Sequence, residues 1–267
     1  MRLPLEILRR RELLHNLVMR NLKSRYKDSA LGFLWSILTP LFMAVIYVVF
    51  LRILARGVPL EEVLIGVFAW QFTAQCVGNG LTCITDNANL VKKVYFPRII
   101  LPAAATLSNL VNFLLTLVVQ FALLGALFFW RHETMDWHAV YIPLLILGHT
   151  AFCFALAVFL SCINVYFRDI QHLVNVGMTA WFFLTPAMYS MSLVEKLALD
   201  RQIPWLTQVY MLNPMAVIIN GYRAMILNGN HFAMSWAAAA SIAGALAFLA
   251  GAIWLFQRLQ RNFSDMF

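Results

Sequence analysis

Six long apolar stretches divide the chain: roughly Leu34–Leu51, Val63–Cys83, Ala103–Trp130, Val140–Val165, Leu173–Tyr189 and Trp236–Phe256. Each runs for about 18 residues or more with few or no charges, the length a helix needs to cross a hydrocarbon core of about 30 Å. The pattern predicts an all-α integral membrane protein, a single domain over 1–267 with six transmembrane helices.

The polar interruptions predict further elements. Residues 9–27, "RRRELLHNLVMRNLKSRYK", place Leu13, Leu14, Leu17, Val18 and Leu22 at helical spacing, with Arg10, Arg20, Lys23 and Lys27 mostly off that stripe. This reads as a basic amphipathic helix suited to a membrane interface, either a plain anchor or a grip for a partner. Between the second and third apolar stretches comes "DNANLVKKVYFPRIILP", Asp86 to Pro102. Asp86 can cap a short helix, over 86–96. It brings Leu90, Val91 and Val94 near one another, with Lys92 and Lys93 beside them and an exposed Tyr95-Phe96 tip. Pro97 turns Phe96 away from helical geometry, and Pro102 sits at the start of the next span, where its missing N–H costs nothing.

Residues 190–235 are too long for a tight loop and too apolar for a floppy one. The piece after Asn213-Pro214, "MAVIINGYRAMILNG", covers about 22 Å as helix, short of the hydrocarbon thickness. It also carries Arg223 near its middle, a cost of at least about 2.5 kcal/mol at the bilayer centre. Two short helices joined at the proline, entering the outer leaflet and returning, are expected here, with Gly229-Asn230 ending the second. On the last span Ala240, Gly244, Ala247 and Gly251 form a stripe of small residues that would allow close approach of another span or a second subunit.

Composition strengthens this picture. The chain is 62% hydrophobic and 12% charged, against about 25% charged for a soluble domain. The basic residues between Arg2 and Lys27 precede a full span with no clear cleavage site, so the first apolar stretch reads as a permanent helix rather than a secretory signal. The net charge is +8. With both ends inside, fourteen of the twenty Lys and Arg lie on the inner side and the acidic residues divide evenly. That asymmetry sets an N-in/C-in orientation and suits anionic lipid; it argues against nucleic acid. The four cysteines lie within apolar spans as small packing residues, and no Cys/His spacing resembles a metal site.

What is missing narrows the function. His149 is the single ionisable group deep in a span, a hydrogen-bonded polar residue rather than a proton relay. The chain lacks HExxH and GxSxG, and no carboxylate pair lies within a span, which argues against an integral membrane lipid-modifying enzyme. It also lacks GxxxxGK[ST], so no P-loop cradles ATP here. If the chain moves something uphill, the energy arrives from another protein. A small basic cytoplasmic helix bolted between two spans can receive a push from a docked partner, or can simply touch lipid; the missing energy source favours the partner.

Several segments resemble one family. "NLVKKVYFPRIILP", "LVMRNLKSRYKDSALGFLWSILTPL", "NVYFRDIQHL", "LTPAMYS" and "LNPMAVIINGYRAMIL" resemble, in order along the whole chain, polysaccharide-type ABC-exporter permeases of the Wzm/TagG/capsule-export group within the ABC-2 permease family. The resemblance implies a bacterial inner-membrane, multi-pass homodimer. It implies two separate nucleotide-binding subunits that bind ATP and Mg, with no cofactor or catalytic site in this chain. The coupling surface it implies comprises Asn89, Leu90, Val91, Lys92, Lys93, Val94, Tyr95, Phe96 and Pro97, with Arg20, Arg25 and Tyr26 beside it. Arg168 and Asp169 belong to the second inner loop, where a local salt bridge is the alternative reading. The outer helices, with Asn213, Pro214, Tyr222 and Arg223, would gate the exit.

A lipid-linked glycan of the O-antigen, capsule or teichoic-acid type would pass a weakly gripping aromatic path. The candidates are Phe42, Tyr47, Trp181, Phe182 and Tyr189, with Phe182 and Tyr189 seven apart on one helix face; lipid contact or core packing is the alternative for each. A permease for a lipid or drug is the nearest competing function.

Overall fold

The computed structural model describes residues 10–26, 34–35, 38–39, 41–43, 45–46, 49, 59–94, 96–132, 134–229, 232, 234–260 and 263. Among the described residues the regular structure is helical, joined by turns and short irregular stretches, with one isolated antiparallel bridge between Met135 and Leu227. In order the helices are α1 (Arg11–Tyr26), α2 (Leu60–Thr82), α3 (Ala88–Lys93), α4 (Ile100–Arg131), α5 (Ile142–Tyr166), α6 (Ile170–Phe183), α7 (Met191–Asp200), α8 (Trp205–Met211), α9 (Pro214–Ile226) and α10 (Trp236–Leu259). A 3-10 turn, Trp137–Tyr141, leads into α5.

Among the described residues three segments are long and apolar enough to cross a membrane: Ile100–Arg131, Trp137–Tyr166 and Trp236–Leu259. The second expected span, α2, has the length, 23 residues or about 34 Å. It carries Gln71, Thr73, Gln75 and Asn79 among its apolar residues, which lowers its hydropathy. Of the first expected span, Leu34–Leu51, only scattered positions are described; most, including Phe42, are exposed. The fifth expected span is shorter than the apolar run. α6 has 14 residues, about 21 Å, and stops at Phe183 rather than continuing to Tyr189. Pro186 follows, and the Thr185 hydroxyl donates back to the Trp181 carbonyl at 2.7 Å, closing the last turn.

Two apolar clusters mark the two ends of the helix bundle. One gathers Val63, Phe68, Leu124, Phe128, Ile142, Tyr222 and Ile226. The other gathers Leu17, Ile84, Val91, Phe96, Ile99, Val165, Phe256 and Phe263. α2, α4 and α5 each run from one cluster to the other in alternating direction, and α10 descends to the second. That second end therefore holds α1, α3, the α5–α6 corner and the last described residues. Arg98 donates to the Gln260 carbonyl, and the Tyr166 hydroxyl to the Leu259 carbonyl at 3.1 Å.

Close helix approach is achieved on α2, not on the stripe of α10. A Cβ on Gly80 would stand 2.5 Å from the Ala157 Cβ, and one on Gly66 would stand 2.9 Å from the Ala187 Cα. Small residues permit such contact where lipid offers no hydrophobic drive. Ala240, Gly244, Ala247 and Gly251 all point outward, away from the rest of the described chain. α10 packs instead through Ala237, Ala238, Ser241, Ala252 and Phe256.

Candidate functional site

The α3 region differs from expectation in three ways. The helix covers Ala88–Lys93, with Asn87 rather than Asp86 at its N-cap, and ends at Val94 in extended geometry. Asn87 turns its amide back to the Cys83 carbonyl at 2.8 Å, which ties the helix to the end of α2. Phe96 is buried, not an exposed tip, because it packs with Leu17, Ile84 and Ile99 in the end cluster. Of the expected stripe, Val91 is buried, Leu90 is half-buried against the same cluster, and Val94 is exposed with Asn89, Lys92 and Lys93. Pro97 is half-buried, and Tyr95 lies outside the described residues. Pro102 falls in the first turn of α4, at its third residue. Arg168 and Asp169 are both exposed at the α5–α6 corner, and no ion pair joins them.

α1 lies against α4 with its apolar stripe turned inward: Leu17 is buried, and Leu13, Leu14 and Val18 are half-buried against the end cluster. Its arginines reach into the chain. Arg20 donates to the Asn87 side-chain oxygen at 2.6 Å. Arg25 donates to Asn109 at 2.7 Å and to Gln75 at 3.3 Å. Asn109 is fully buried, receives the Asn79 amide at 2.8 Å and donates to the Gln75 carbonyl at 3.1 Å. The helical position of Tyr26 is described; its side chain is not.

The opposite end of the bundle holds α7, α8 and α9. Three helices, not two, fill this region, since α7 precedes the pair expected. α9 begins where Asn213 caps it, accepting from the Met215 N–H at 3.0 Å with Pro214 in its first turn. It ends at Ile226, before Gly229 (φ 83°), where Leu227 turns extended and bridges Met135, and Asn228 donates to the Thr134 hydroxyl at 3.0 Å. Asn213 also accepts the Trp181 indole N–H at 3.0 Å and donates to the Thr185 hydroxyl at 2.9 Å.

Arg223 is 2% exposed. Its Nε and Nη2 donate to the Glu62 carbonyl at 3.1 and 2.9 Å, and the Glu62 carboxylate stands 3.8 Å from Nε. Tyr222 meets His149 Nδ1 at 3.4 Å, and His149 Nε2 meets the Thr73 hydroxyl at 2.7 Å, joining α9, α5 and α2. His149 is thus a satisfied buried polar residue, as its isolation in the sequence implied.

The aromatic candidates are distributed unevenly. Trp181 and Phe182 pack on Trp70, with ring centroids 5.4 Å apart in each case. Tyr189 lies in the turn after α6, so it does not share a helix face with Phe182. Its hydroxyl contacts the Phe183 carbonyl at 3.2 Å and the Tyr210 hydroxyl at 3.4 Å. Tyr47 lies outside the described residues. None of the residues of α6 is buried.

The residues that sequence reasoning missed are partners rather than principals: Glu62, Asn87, Gln75 and Asn109. Two signals were available. Glu61-Glu62 is an acidic doublet at the mouth of an apolar run, and Gln75 and Asn79 stand one helical turn apart within it. Among the described residues no group of three or more His, Cys, Asp or Glu gathers as for a metal ion.

Residues 12–227 match the family described as ABC-2 type transporter. Over 227 residues the chain is 36% identical to the O-antigen export system permease protein RfbA of Myxococcus xanthus, an alignment that covers 84% of each chain. Over 221 residues it is 30% identical to the protein of the same name from Klebsiella pneumoniae, covering 82% of this chain and 81% of that one.

Proposed function

The chain belongs to the ABC-2 type transporter family, and we propose that it is the permease subunit of an ATP-driven exporter. Its cargo is a lipid-linked polysaccharide of the O-antigen, capsule or teichoic-acid type, carried across a bacterial inner membrane. The observation that carries the reading is the extent of the likeness to O-antigen export permeases, 36% identity across 84% of both chains.

The rest of the arrangement accords with it. Two copies form the pore, each with six spans and both termini inside. The end that holds α1, α3 and Arg258 faces the cytoplasm, in keeping with its basic residues. A separate ATPase, which binds ATP and Mg, docks on Asn89, Lys92, Lys93 and Val94, with Arg168 and Asp169 beside it. Leu90, Val91 and Phe96 root that small lever in the end cluster, so a push on its surface reaches α2 and α4. At the other end, α9 gates the exit through Asn213, Pro214, Tyr222 and Arg223. The glycan passes along α6, whose lack of buried side chains leaves it free to line a pore, with Phe42, Tyr47, Trp181, Phe182 and Tyr189 as aromatic contacts.

The test is reconstitution into proteoliposomes with and without the partner ATPase, following the arrival of a lipid-linked glycan at the far leaflet. ATP-dependent arrival that needs both proteins is expected. Arrival with this chain alone, or none with both and ATP, refutes the proposal.

A further inference from the structure

A polar cavity of about 480 Å³ lies between α1, the start of α4 and the α2–α3 corner. One face of α1 supplies Arg20, Asn21, Ser24 and Arg25, residues that helical spacing places together. Asn79 and Asn87 line the opposite wall. The arginines are held in an unusual manner. Each is oriented by neutral amide oxygens, Arg20 by Asn87 at 2.6 Å and Arg25 by Asn109 at 2.7 Å and Gln75 at 3.3 Å. Among the described residues neither guanidinium has a carboxylate within ion-pair distance; the pairs present are Arg131–Glu61, His138–Asp136 and Arg223–Glu62.

An amide acceptor fixes a guanidinium in place without cancelling its charge. A guanidinium carries five N–H donors, and these contacts use one on Arg20 and two on Arg25. The result is two positioned forks beside one cavity, neither paired with a carboxylate among the described residues, a geometry that suits bidentate recognition of phosphate oxygens. The one carboxylate in the lining, Asp86, is exposed.

We propose that this cavity binds the phosphate-bearing headgroup of a lipid, with Arg20 and Arg25 as its anion-binding residues. The lipid is either an isoprenoid diphosphate or a glycerophospholipid; both present the same phosphate oxygens at the membrane surface. Arg20 and Arg25 thereby leave the ATPase contact surface and serve a lipid instead. The inference deepens the transport reading, but its test uses the permease alone without ATP, so a negative result bears on the cavity and not on export.

Purified full-length protein in detergent is titrated with geranyl diphosphate, with a short-chain phosphatidylglycerol and with inorganic diphosphate. Binding is followed by native mass spectrometry and thermal shift. At least one lipid probe is expected to bind. Arg20→Gln and Arg25→Gln should each weaken it about tenfold or more, the scale of one charge-assisted hydrogen bond. Asp86→Asn, which removes the opposing charge, should tighten it, and this variant keeps the test open if an arginine variant folds poorly. Lys196→Gln, an exposed cation on α7, should leave it unchanged. Preference for geranyl diphosphate identifies an isoprenoid carrier, and preference for phosphatidylglycerol a structural lipid. Failure of both lipid probes to bind the unaltered chain, equal binding by both arginine variants, or an equal loss in Lys196→Gln overturns the proposal.

Discussion

Replacing Arg223 with Met tests how α9 is held. Arg223 is 2% exposed, and its two short contacts go to the Glu62 backbone carbonyl, at 2.9 and 3.1 Å. The Glu62 carboxylate is farther away, 3.8 Å from Nε, beyond hydrogen-bond range. Hydrogen bonds from a charged donor contribute about 1.5–3 kcal/mol each, and two to one oxygen add less than twice that. Removing one partner of a buried pair typically costs about 3–5 kcal/mol, since the other group is left unmatched. Arg223→Met should therefore cost about 3–5 kcal/mol, or on the order of 10 °C in Tm for a chain of this size. Glu62→Gln keeps the carbonyl, and with it both short bonds, so its cost should be smaller by at least about 2 kcal/mol. Thermal unfolding of the two variants in one detergent separates the cases. If Glu62→Gln proves as damaging as Arg223→Met, the ion pair rather than the carbonyl secures α9, and the reasoning fails.

Other consequences are equally concrete. Lys93→Glu combined with Val94→Asp, both on the exposed side of α3, should abolish co-purification with the partner ATPase while Tm stays within about 2 °C; retained binding would remove α3 from the contact. Leu90→Asp is a poorer probe, because Leu90 packs against the end cluster and its loss should lower Tm by itself. Gly80→Val should destabilise by about 1–3 kcal/mol or more, as even a Cβ there would meet the Ala157 Cβ at 2.5 Å; an unchanged melting curve would deny that α2 and α5 touch at this point. Asn213→Ala removes a helix cap and strands the Trp181 indole N–H, a combined cost of about 2–4 kcal/mol, checked by thermal unfolding beside Asn213→Asp. Asn213→Asp keeps the acceptor for both N–H groups and should retain most of the stability.

The sequence pattern located most long helices to within a few residues, since runs such as Ile100–Arg131 are apolar throughout and nothing competes with helix in lipid. It overestimated α6, because an apolar run and a helix need not have the same end: Pro186 and the Thr185 back-bond stop the helix while the side chains remain apolar. The Asp86 cap was a reasonable inference from local chemistry, yet Asn87 takes the position, because its amide also bonds back to the Cys83 carbonyl. Phe96 looked exposed as the tip of a polar loop, and only the meeting of α1 with the α4 entrance shows what buries it. Arg223 was legible as a charge that should not cross the bilayer. Its partner Glu62, 161 residues away, was not, because that pairing depends on tertiary packing.

Asn213 has a mechanical consequence. One amide side chain receives the indole at the end of α6, bonds the hydroxyl of the turn that follows it, and starts the helix that carries Arg223. The end of α6, with its aromatic side chains, and the helix that carries Arg223 are consequently yoked at a single joint. A shift of one must drag the other along, or break three contacts at once.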